Sequence, residues 1–591
     1  MLSRLNGLYP NKKQFIGFIK CENRDQFDFV VLDSLTEEIV ASITYKSDNV
    51  QILLDVLLTM DNVFKAVIVD LFQLDLRGKP YEFSFEYCKE LRKILRQQEI
   101  ANLFVTDQMH ICVTCLIVAN LNIEIDDTVL FLIIHDYEIA NVFITDQMYT
   151  CVTGLIGAKL NIEIDDSVLF LITHDEKDVK ETFGLWILEL KFTPKGYLLI
   201  NHKTMVSLNC KADPEDLHQE ICAGISTPPR YILVPSYGCE HIPFKKIFKS
   251  DNLMLMDKCI GSYQKDFMIE TCKWLLDKSY IKYHILPICA RNMHVYGQFG
   301  KDENNLDIMK ININDQLPIT KTVFHSKSFP FFRIVFDTEI STYRSGTRFD
   351  PFCHGIKTIL TIDEENFEEI HSEVLFIKDF DEVPFKLDNL LKSKVPFIGF
   401  FDNLSFVATY KEPQGYEFLE GWKGVFGIDC FISFYEKKPK FGLDAMDVIL
   451  AKNTFVVFDL LKIMSMPSDD IKIDKTWGFT ITKDENNPVL LQFDNYDGAK
   501  SVASPAFLMA LILRQQMKAI KAETNEKAKE LAFWIAKQSF DDEEYKRIQE
   551  GIAKSCELLK LEFTFLDPES FTSTLTETYY CYEDVLSDNN C

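Results

Sequence analysis

The feature that most constrains this chain is a tandem repeat: Glu99–Tyr137 recurs as Glu138–Glu176, with 29 identities in 39 aligned positions. Two copies cannot make a solenoid, which needs about three or more stacked units to bury a core. The identity is too high for an ancient structural repeat, so the pair reads as a recent duplication or a gene-model error, with one copy redundant to the fold. Each copy reads as a short strand (Ala101–Thr106), an apolar helix (Met109–Leu121) and a buried strand (Thr128–His135). The helix carries His110, Cys112 and Cys115, but the second copy places Tyr149 and Gly154 at the His and second Cys positions. A zinc site needs about four ligands, so core packing is the expectation for this helix.

The rest of the chain alternates apolar strand runs with helical patterns, the signature of an α/β protein. Tyr231–Val234 reads as a strand, with helical patterns following through Asp277. From Asp307 to about Ile377 short strands broken by Pro and Gly predict a β-rich module, and Asp379–Lys394 reads as a charged connector. A new strand-rich unit opens at Val395, followed by a long helical stretch from Ser504 to about Leu559 with a turn near Asp541–Asp542. Glu583–Cys591 reads as a polar, frayed tail.

With 591 residues, about two to four domains are expected. The net charge of −26 argues against nucleic acid or an anionic membrane surface as partner. Met1–Phe15 has no apolar core of a secretory signal, and runs such as Val129–Ile134 are strand-sized, far below the roughly 20 residues of a membrane span. The 16 cysteines are scattered and read as reduced thiols, so a soluble cytoplasmic protein is expected. No phosphate-loop, dinucleotide, zincin or nucleophile-elbow motif occurs; Gly297 and Gly300 read as part of a polar loop.

Asn453–Phe479 (NT, VFDLLK, DDIKIDKTWGF) resembles the N-T-V-F-D-x-K-R … D-x-x-W-P-F passage of the ATPase domain of the 70-kDa heat-shock chaperone family. Upstream, Val395–Tyr410 resembles that family's first β-hairpin. Downstream, Pro505–Ile520 is similar to the helix after its P-E-E motif, Lys529–Phe563 to the A-V-I-T-V-P-A-Y-F segment and beyond, and Leu566–Phe571 falls at N-E-P-T-A. Earlier in the chain, Lys65–Phe72 is similar to the A-V-I-T-V-P-A strand, and Val105–Met109 with Ile144–Met148 stand at N-E-P-T. Tyr231–Phe248 resembles the second-lobe V-L-V-G-G-S-T-R-I-P segment, and Leu317–Ser326 the passage that opens the family's β-sandwich for peptide substrate.

The resemblance implies an actin-like (ribonuclease-H-like) ATPase fold in two incomplete copies with a small β-rich module between them. The implied divisions are a β-rich N-terminal remnant (1–60), a degenerate unit with the end of lobe one plus lobe two (61–301), the β-rich substrate-domain-like module (302–378), a connector (379–394), a degenerate lobe one (395–582) and a tail (583–591). In the family, glycine-rich hairpin turns bring backbone N–H groups onto the phosphates of ATP and carboxylates hold Mg²⁺ through water. Here Asp402 stands in the first phosphate loop without its glycine and threonines, and the catalytic lysine's position falls on Leu461, with Lys462 adjacent. The N-E-P glutamate is replaced by Asp567, Asp107 and Asp146. Thr173–Thr182 replaces the second phosphate loop without a glycine, and Pro235–Ser236–Tyr237 replaces G-G-S.

Asp402, Lys462 and Asp567 are therefore the candidate catalytic residues, and Asp107 and Asp146 the candidate cofactor contacts. The implied function is a non-catalytic, chaperone-type interaction scaffold, a pseudo-ATPase without cofactor, whose partners are unfolded or client polypeptides or co-chaperones. Two alternatives follow from the same residues. One is an ATP-dependent chaperone binding Mg·ATP between Val395–Tyr582 and about Ser167–Lys301; the other is a drifting gene product without selected activity.

Overall fold

A computed structural model describes residues 13–60, 63–77, 79–81, 83–106, 109–110, 113–114, 116–117, 128–133, 167–170, 182–209, 211–225, 229–235, 242–249, 253–256, 260–300, 304–337, 342–347, 352–537, 540–572 and 575–577. Among these, helices and several sheets form a mixed α/β architecture. No helix among the described residues is long and apolar enough to cross a membrane. The cysteines described are free thiols, all buried except the partly covered Cys222.

The first sheet contains β1 (Phe15–Asn23), β2 (Gln26–Asp33), β3 (Glu38–Lys46), β4 (Phe64–Asp70) and β5 (Ala101–Phe104), in the order β3-β2-β1-β4-β5. The first three strands are antiparallel neighbours, while β4 and β5 are added in parallel to β1. Helices α1 (Val50–Leu58) and α2 (Ser84–Gln97) make the crossovers that parallel strands require. This sheet runs across the expected division at residues 60 and 61, so residues 15–60 share a sheet with 64–104 rather than forming a separate remnant.

The second sheet repeats the pattern with β6 (Thr128–Ile133), β7 (Ser167–Phe170), β8 (Thr182–Thr193), β9 (Gly196–Asn209), β10 (Pro229–Pro235) and β11 (Leu253–Met256). Its main order is β11-β10-β6-β8-β9, again antiparallel on one side and parallel on the other. The duplicated segment supplies two strands to one place: β6 meets β10 at Leu130–Ile232 and Phe131–Leu233, and β7 meets the same strand at Ser167–Pro229 and Val168–Tyr231. Helices α3 (Pro214–Cys222) and α4 (Gln264–Leu276) follow in this part of the chain. Ile16 and Phe18 of β1 share a core with Leu185, Ile232 and Phe267, whereas Phe15 and Ile19, on the opposite face, share one with α1 and α2. The second sheet thus completes its core with the first sheet, and among the described residues the hydrophobic cores do not join it to residues 395–571.

Two four-stranded sheets come next. One is β13-β12-β15-β16, from β12 (Asn292–Gln298), β13 (Asn305–Ile311), β15 (Phe331–Asp337) and β16 (Thr342–Thr347). The other is β14-β17-β18-β31, from β14 (Ile319–Ser326), β17 (Gly355–Ile362), β18 (Glu368–Ile377) and the late β31 (Leu575–Glu577). This β-module begins before residue 302, and Gly297 lies within β12 rather than in a loop. The connector contains helix α5 (Val383–Leu390), whose Val383 and Leu387 share a core with Phe397 and Phe401.

The last unit holds β19 (Phe397–Phe401), β20 (Leu404–Lys411), β21 (Gly415–Phe418), β22 (Ile428–Asp429), β29 (Glu530–Ile535) and β30 (Glu562–Phe565). Its order, β21-β20-β19-β29-β30, is the same pattern a third time. Two small sheets lie between, β24-β23-β25 (Lys440–Phe441, Ile432–Ser433, Val456–Val457) and β26-β27-β28 (Thr480–Thr482, Leu490–Asp494, Lys500–Ala503). Helices α6 (Leu443–Lys452), α7 (Leu460–Ser465), α8 (Pro505–Thr524) and α9 (Asp542–Leu559) complete the unit. Ser504 caps α8 by accepting the Phe507 amide, with Pro505 in its first turn, and Asp541 with Glu544 forms a capping box on α9. The expected helical stretch from Ser504 to Leu559 is interrupted by β29. A six-residue apolar run buried between layers has no periodicity that separates strand from helix.

Candidate functional site

Three turns of the last unit converge beside the β19–β20 hairpin. Asp402 and Asn403 are its turn residues, closed by Phe401 opposite Leu404. Asp402 takes a left-handed backbone, φ 52°, which aspartate tolerates better than most residues. The Asn403 carbonyl accepts the Cys430 amide at 2.7 Å, and its Oδ1 accepts the Asp459 amide at 3.2 Å. These bonds tie the hairpin to β22 and to the start of α7. Asp459 Oδ2 accepts the Trp477 indole N–H at 2.9 Å, and Lys462 Nζ donates to Asp474 Oδ2 at 2.5 Å.

The β-module reaches into this cluster through the loop after β14. Ser326 hydrogen-bonds Asp402. The Ser328 hydroxyl donates to Asp429 Oδ1, and Lys327 Nζ donates to the Phe426 carbonyl at 2.7 Å. Lys327 and Asp429 are each only 6% exposed. Such burial is sustained only because each polar group has a partner.

The electrostatics follow from crowding. Burial raises the Asp429 carboxyl above its ordinary value, against the opposing field of Lys327 and the hydrogen bond from Ser328. Burial also pushes Asp459 up to about 6, opposed by Trp477 and Lys462 and reinforced by Asp402 and Asp474. Asp402 keeps its side chain open to solvent at the turn, yet surrounding protein raises its carboxyl too, with Asp429 adding to the effect. For Lys462 burial alone would lower the ammonium, but the bond to Asp474 and the fields of Asp459 and Asp402 outweigh it and raise it.

The sequence-predicted residues separate accordingly. Asp402 and Lys462 come within each other's electrostatic reach, and Leu461 is buried in the core. Asp567 lies elsewhere, after β30, where its Oδ1 accepts the Glu569 amide at 2.8 Å and its charge acts on Lys537 and Tyr545. Asp107 and Asp146 lie outside the described residues, as do Cys112, Cys115, Thr173–Glu181 and Ser236–Tyr237. His110 is buried, with Nδ1 2.8 Å from Asp70 Oδ2 and its ring against Phe18 and Phe267. Sequence reasoning missed Asp429, Asp459, Asp474 and the Ser326–Ser328 loop. The carboxylates were visible in GID, VFD and IDKTW, but the loop arrives from another module.

Burial pushes the Cys430 thiol up to about 12, far from the thiolate state that attack requires. Among the described residues no group of three or more His, Cys, Asp or Glu side chains is placed to hold a metal ion. A cleft of ≈ 890 Å³ lies away from this cluster, bordered by α2, Trp274 and the β17–β18 turn. No family model matches the chain, and no curated protein matches it.

Proposed function

We propose that the chain is a heat-shock-70-like, non-catalytic scaffold of chaperone type, which binds polypeptide segments and does not turn over ATP. The thrice-repeated sheet, three antiparallel strands followed by two parallel ones, supports an actin-like (ribonuclease-H-like) ancestry. In this reading residues 15–104 and 395–571 are two versions of lobe one and residues 128–256 a lobe two. The β-module supports a role in holding peptide.

The observation that carries the non-catalytic reading is the loop Ser326–Lys327–Ser328 resting on Asp402 and Asp429. Where the resemblance would put triphosphate, the chain puts its own lysine and two hydroxyls. The residues present do not fit Mg·ATP. The hairpin turn lacks glycine, the Asn403 carbonyl and Oδ1 are committed within the fold, and Lys462 is held by Asp474. Free buried thiols accord with a reducing, cytoplasmic setting.

Calorimetric titration with Mg·ATP, paired with a thermal-shift series, tests this reading. A ligand that binds only the native state must raise the melting temperature. The expected result is no heat and no shift at millimolar nucleotide, and micromolar binding would overturn it.

A further inference from the structure

The cleft of ≈ 890 Å³ is walled by three parts of the chain. α2 and β5 come from the first sheet, the β8–β9 turn and α4 from the second part, and the segment entering β14 and the β17–β18 turn from the β-module. Its apolar lining includes the buried Leu103, Met109 and Leu317 and the half-buried Ile281 and Leu286. Small-molecule sites are typically clefts of roughly 300–1,000 Å³, lined by apolar side chains with a few placed polar groups.

The charged groups around this cleft are of two kinds. Arg92 pairs with Asp363 and Glu365 at 2.6 Å, and Arg96 with Glu365 at 2.9 Å, so these four offset one another. Lys195 and Lys278 stand apart: among the described residues neither ammonium has a hydrogen-bond or ion-pair partner. Lys278 Nζ lies 3.2 Å from the centroid of the Trp274 ring, and Trp274 stacks on His284 with centroids 3.9 Å apart and planes 10° from parallel. Surrounding protein lowers the Lys278 ammonium below its ordinary value, against the fields of Glu364 and Glu365. Burial holds His284 at about 3, so its ring is neutral. The lining carboxylate that no arginine engages is Glu364, so two ammoniums face one anion. An ammonium that has lost part of its water and has no fixed counter-ion is completed by an anionic ligand.

A narrower recess adjoins the cleft and shares Leu103, Met109, Trp274 and His284 with it. Thr271 of α4 lines this recess, 5% exposed, and its hydroxyl has no hydrogen-bond partner among the described residues. A buried hydroxyl without a partner is rare in native proteins and marks a place for a water or a ligand atom.

We propose that this cleft is a binding site for a small amphipathic carboxylate, its apolar body against Leu103, Met109 and Leu317 and its head group on Lys278 and Lys195. The Thr271 hydroxyl is left for a polar substituent on the body. A monocarboxylate matches the one surplus positive charge, whereas a phosphate dianion would set its second charge against Glu364. Because the walls belong to three parts of the chain, the ligand ties the β-module to the first two sheets. The site stands apart from the polypeptide-binding reading and does not depend on it.

Three fluorescent probes that differ only in head group test the site on the full chain: dansylglycine, dansylglycinamide and dansyl-aminomethylphosphonate. Dansylglycine is expected to bind about tenfold or more tightly than the neutral amide, and more tightly than the phosphonate. Lys278→Gln alters an exposed side chain and is expected to remove the difference between acid and amide by weakening dansylglycine alone about tenfold. Its melting temperature without ligand checks that it folds, and if it does not, Lys195→Gln carries the same expectation. Bound dansylglycine is expected to slow hydrogen exchange in residues 278–287 and 363–367.

Equal affinity for dansylglycine and its amide overturns the proposal, as does undiminished binding of dansylglycine by the folded lysine variant. Tighter binding of the phosphonate overturns the carboxylate assignment in favour of phosphate esters. Protection confined to other residues, or no binding by any of the three probes, removes the site altogether.

Discussion

Gly399 lies directly across the β19–β20 pair from Phe406, and a Cβ on Gly399 would sit 2.0 Å from the phenylalanine ring. The ring covers the space that a side chain on the neighbouring strand would take, and both strands are buried on both faces there. Gly399→Ala therefore forces the ring or the strand aside, with a cost of about 1–3 kcal/mol or more. A lowered urea midpoint is expected, and Phe406→Leu in the same chain is expected to recover part of the loss. Full stability in the single variant would show that the β19–β20 pair adapts.

Arg291 is predicted to be among the most sensitive single positions in the junction between the first unit and the β-module. It is 1% exposed, pairs with Glu368, and lies with its guanidinium 3.6 Å from the Phe85 centroid and 4.4 Å from that of Phe336. Arg291→Ala strands Glu368 with only Lys89 as cation and opens a hole between two rings. Losses of roughly 3–5 kcal/mol accompany removal of one partner from a buried pair. Arg291→Met, which keeps the volume, should cost distinctly less in the same denaturation experiment.

His354 gives the fold an acid-side limit. Burial holds its imidazole at about 4, whereas the unfolded chain titrates near 6.5. The native state therefore resists a proton that the unfolded state accepts. This contribution to stability is complete above pH ~6.5 and is lost as pH falls toward 4. His354→Asn should flatten the stability profile across that interval by close to one proton. His284 and His325, at about 3 and about 4 through burial, continue to act in the same direction.

Asp459 works the other way. Its folded carboxyl titrates at about 6, above the ordinary value of 3.8. The native state takes up the proton first, so the contribution is full below pH ~4 and lost as pH rises through about 6. Asp459→Asn keeps an oxygen for the Trp477 N–H and removes the buried charge. It should raise stability by on the order of 1 kcal/mol at pH 7.5, with the difference from the unaltered chain shrinking below pH ~5. A destabilised variant at pH 7.5 would show that the charge itself holds the cluster together.

Deleting residues 138–176 removes β7 and leaves β6 in register with β10 and β8. The shortened chain should fold cooperatively with an unchanged far-ultraviolet circular dichroism signal per residue. A molten or aggregated product would mean that the second copy is structurally required.

Element type was legible wherever the apolar period was long, and the site was legible only where one segment supplied it. The hairpin that the resemblance implied at Val395–Tyr410 and the strand that the pattern placed at Tyr231–Val234 are both present. The joining of the β-rich start, the strand at Lys65–Phe72 and the strand at Ala101–Thr106 into one sheet escaped notice, although Phe-Ile-Gly-Phe occurs at both Phe15–Phe18 and Phe397–Phe400, on β1 and β19. Yet Ile16 and Phe18 face the second sheet, whereas Ile398 and Phe400 face α8 and α9. A one-residue difference in phase turns every side chain to the opposite face, so the shared tetrapeptide marks a strand without aligning residues. Asp402 and Lys462 were readable because they lie in recognisable hairpin and helix segments. Lys327 and Ser328 were not, because only the docking of a separate module brings them there.

The last unit leaves the β-module through α5 and returns to it at β31, where Leu575, Thr576 and Glu577 pair with Ile377, Phe376 and Leu375. A body fastened at both of its ends is a door on two hinge pins, not a weight on a leash. Freeing its inner face calls for a swing about the line joining those pins, or for the outer pin to be drawn. Trimming the chain before Leu575 would turn the door into the leash.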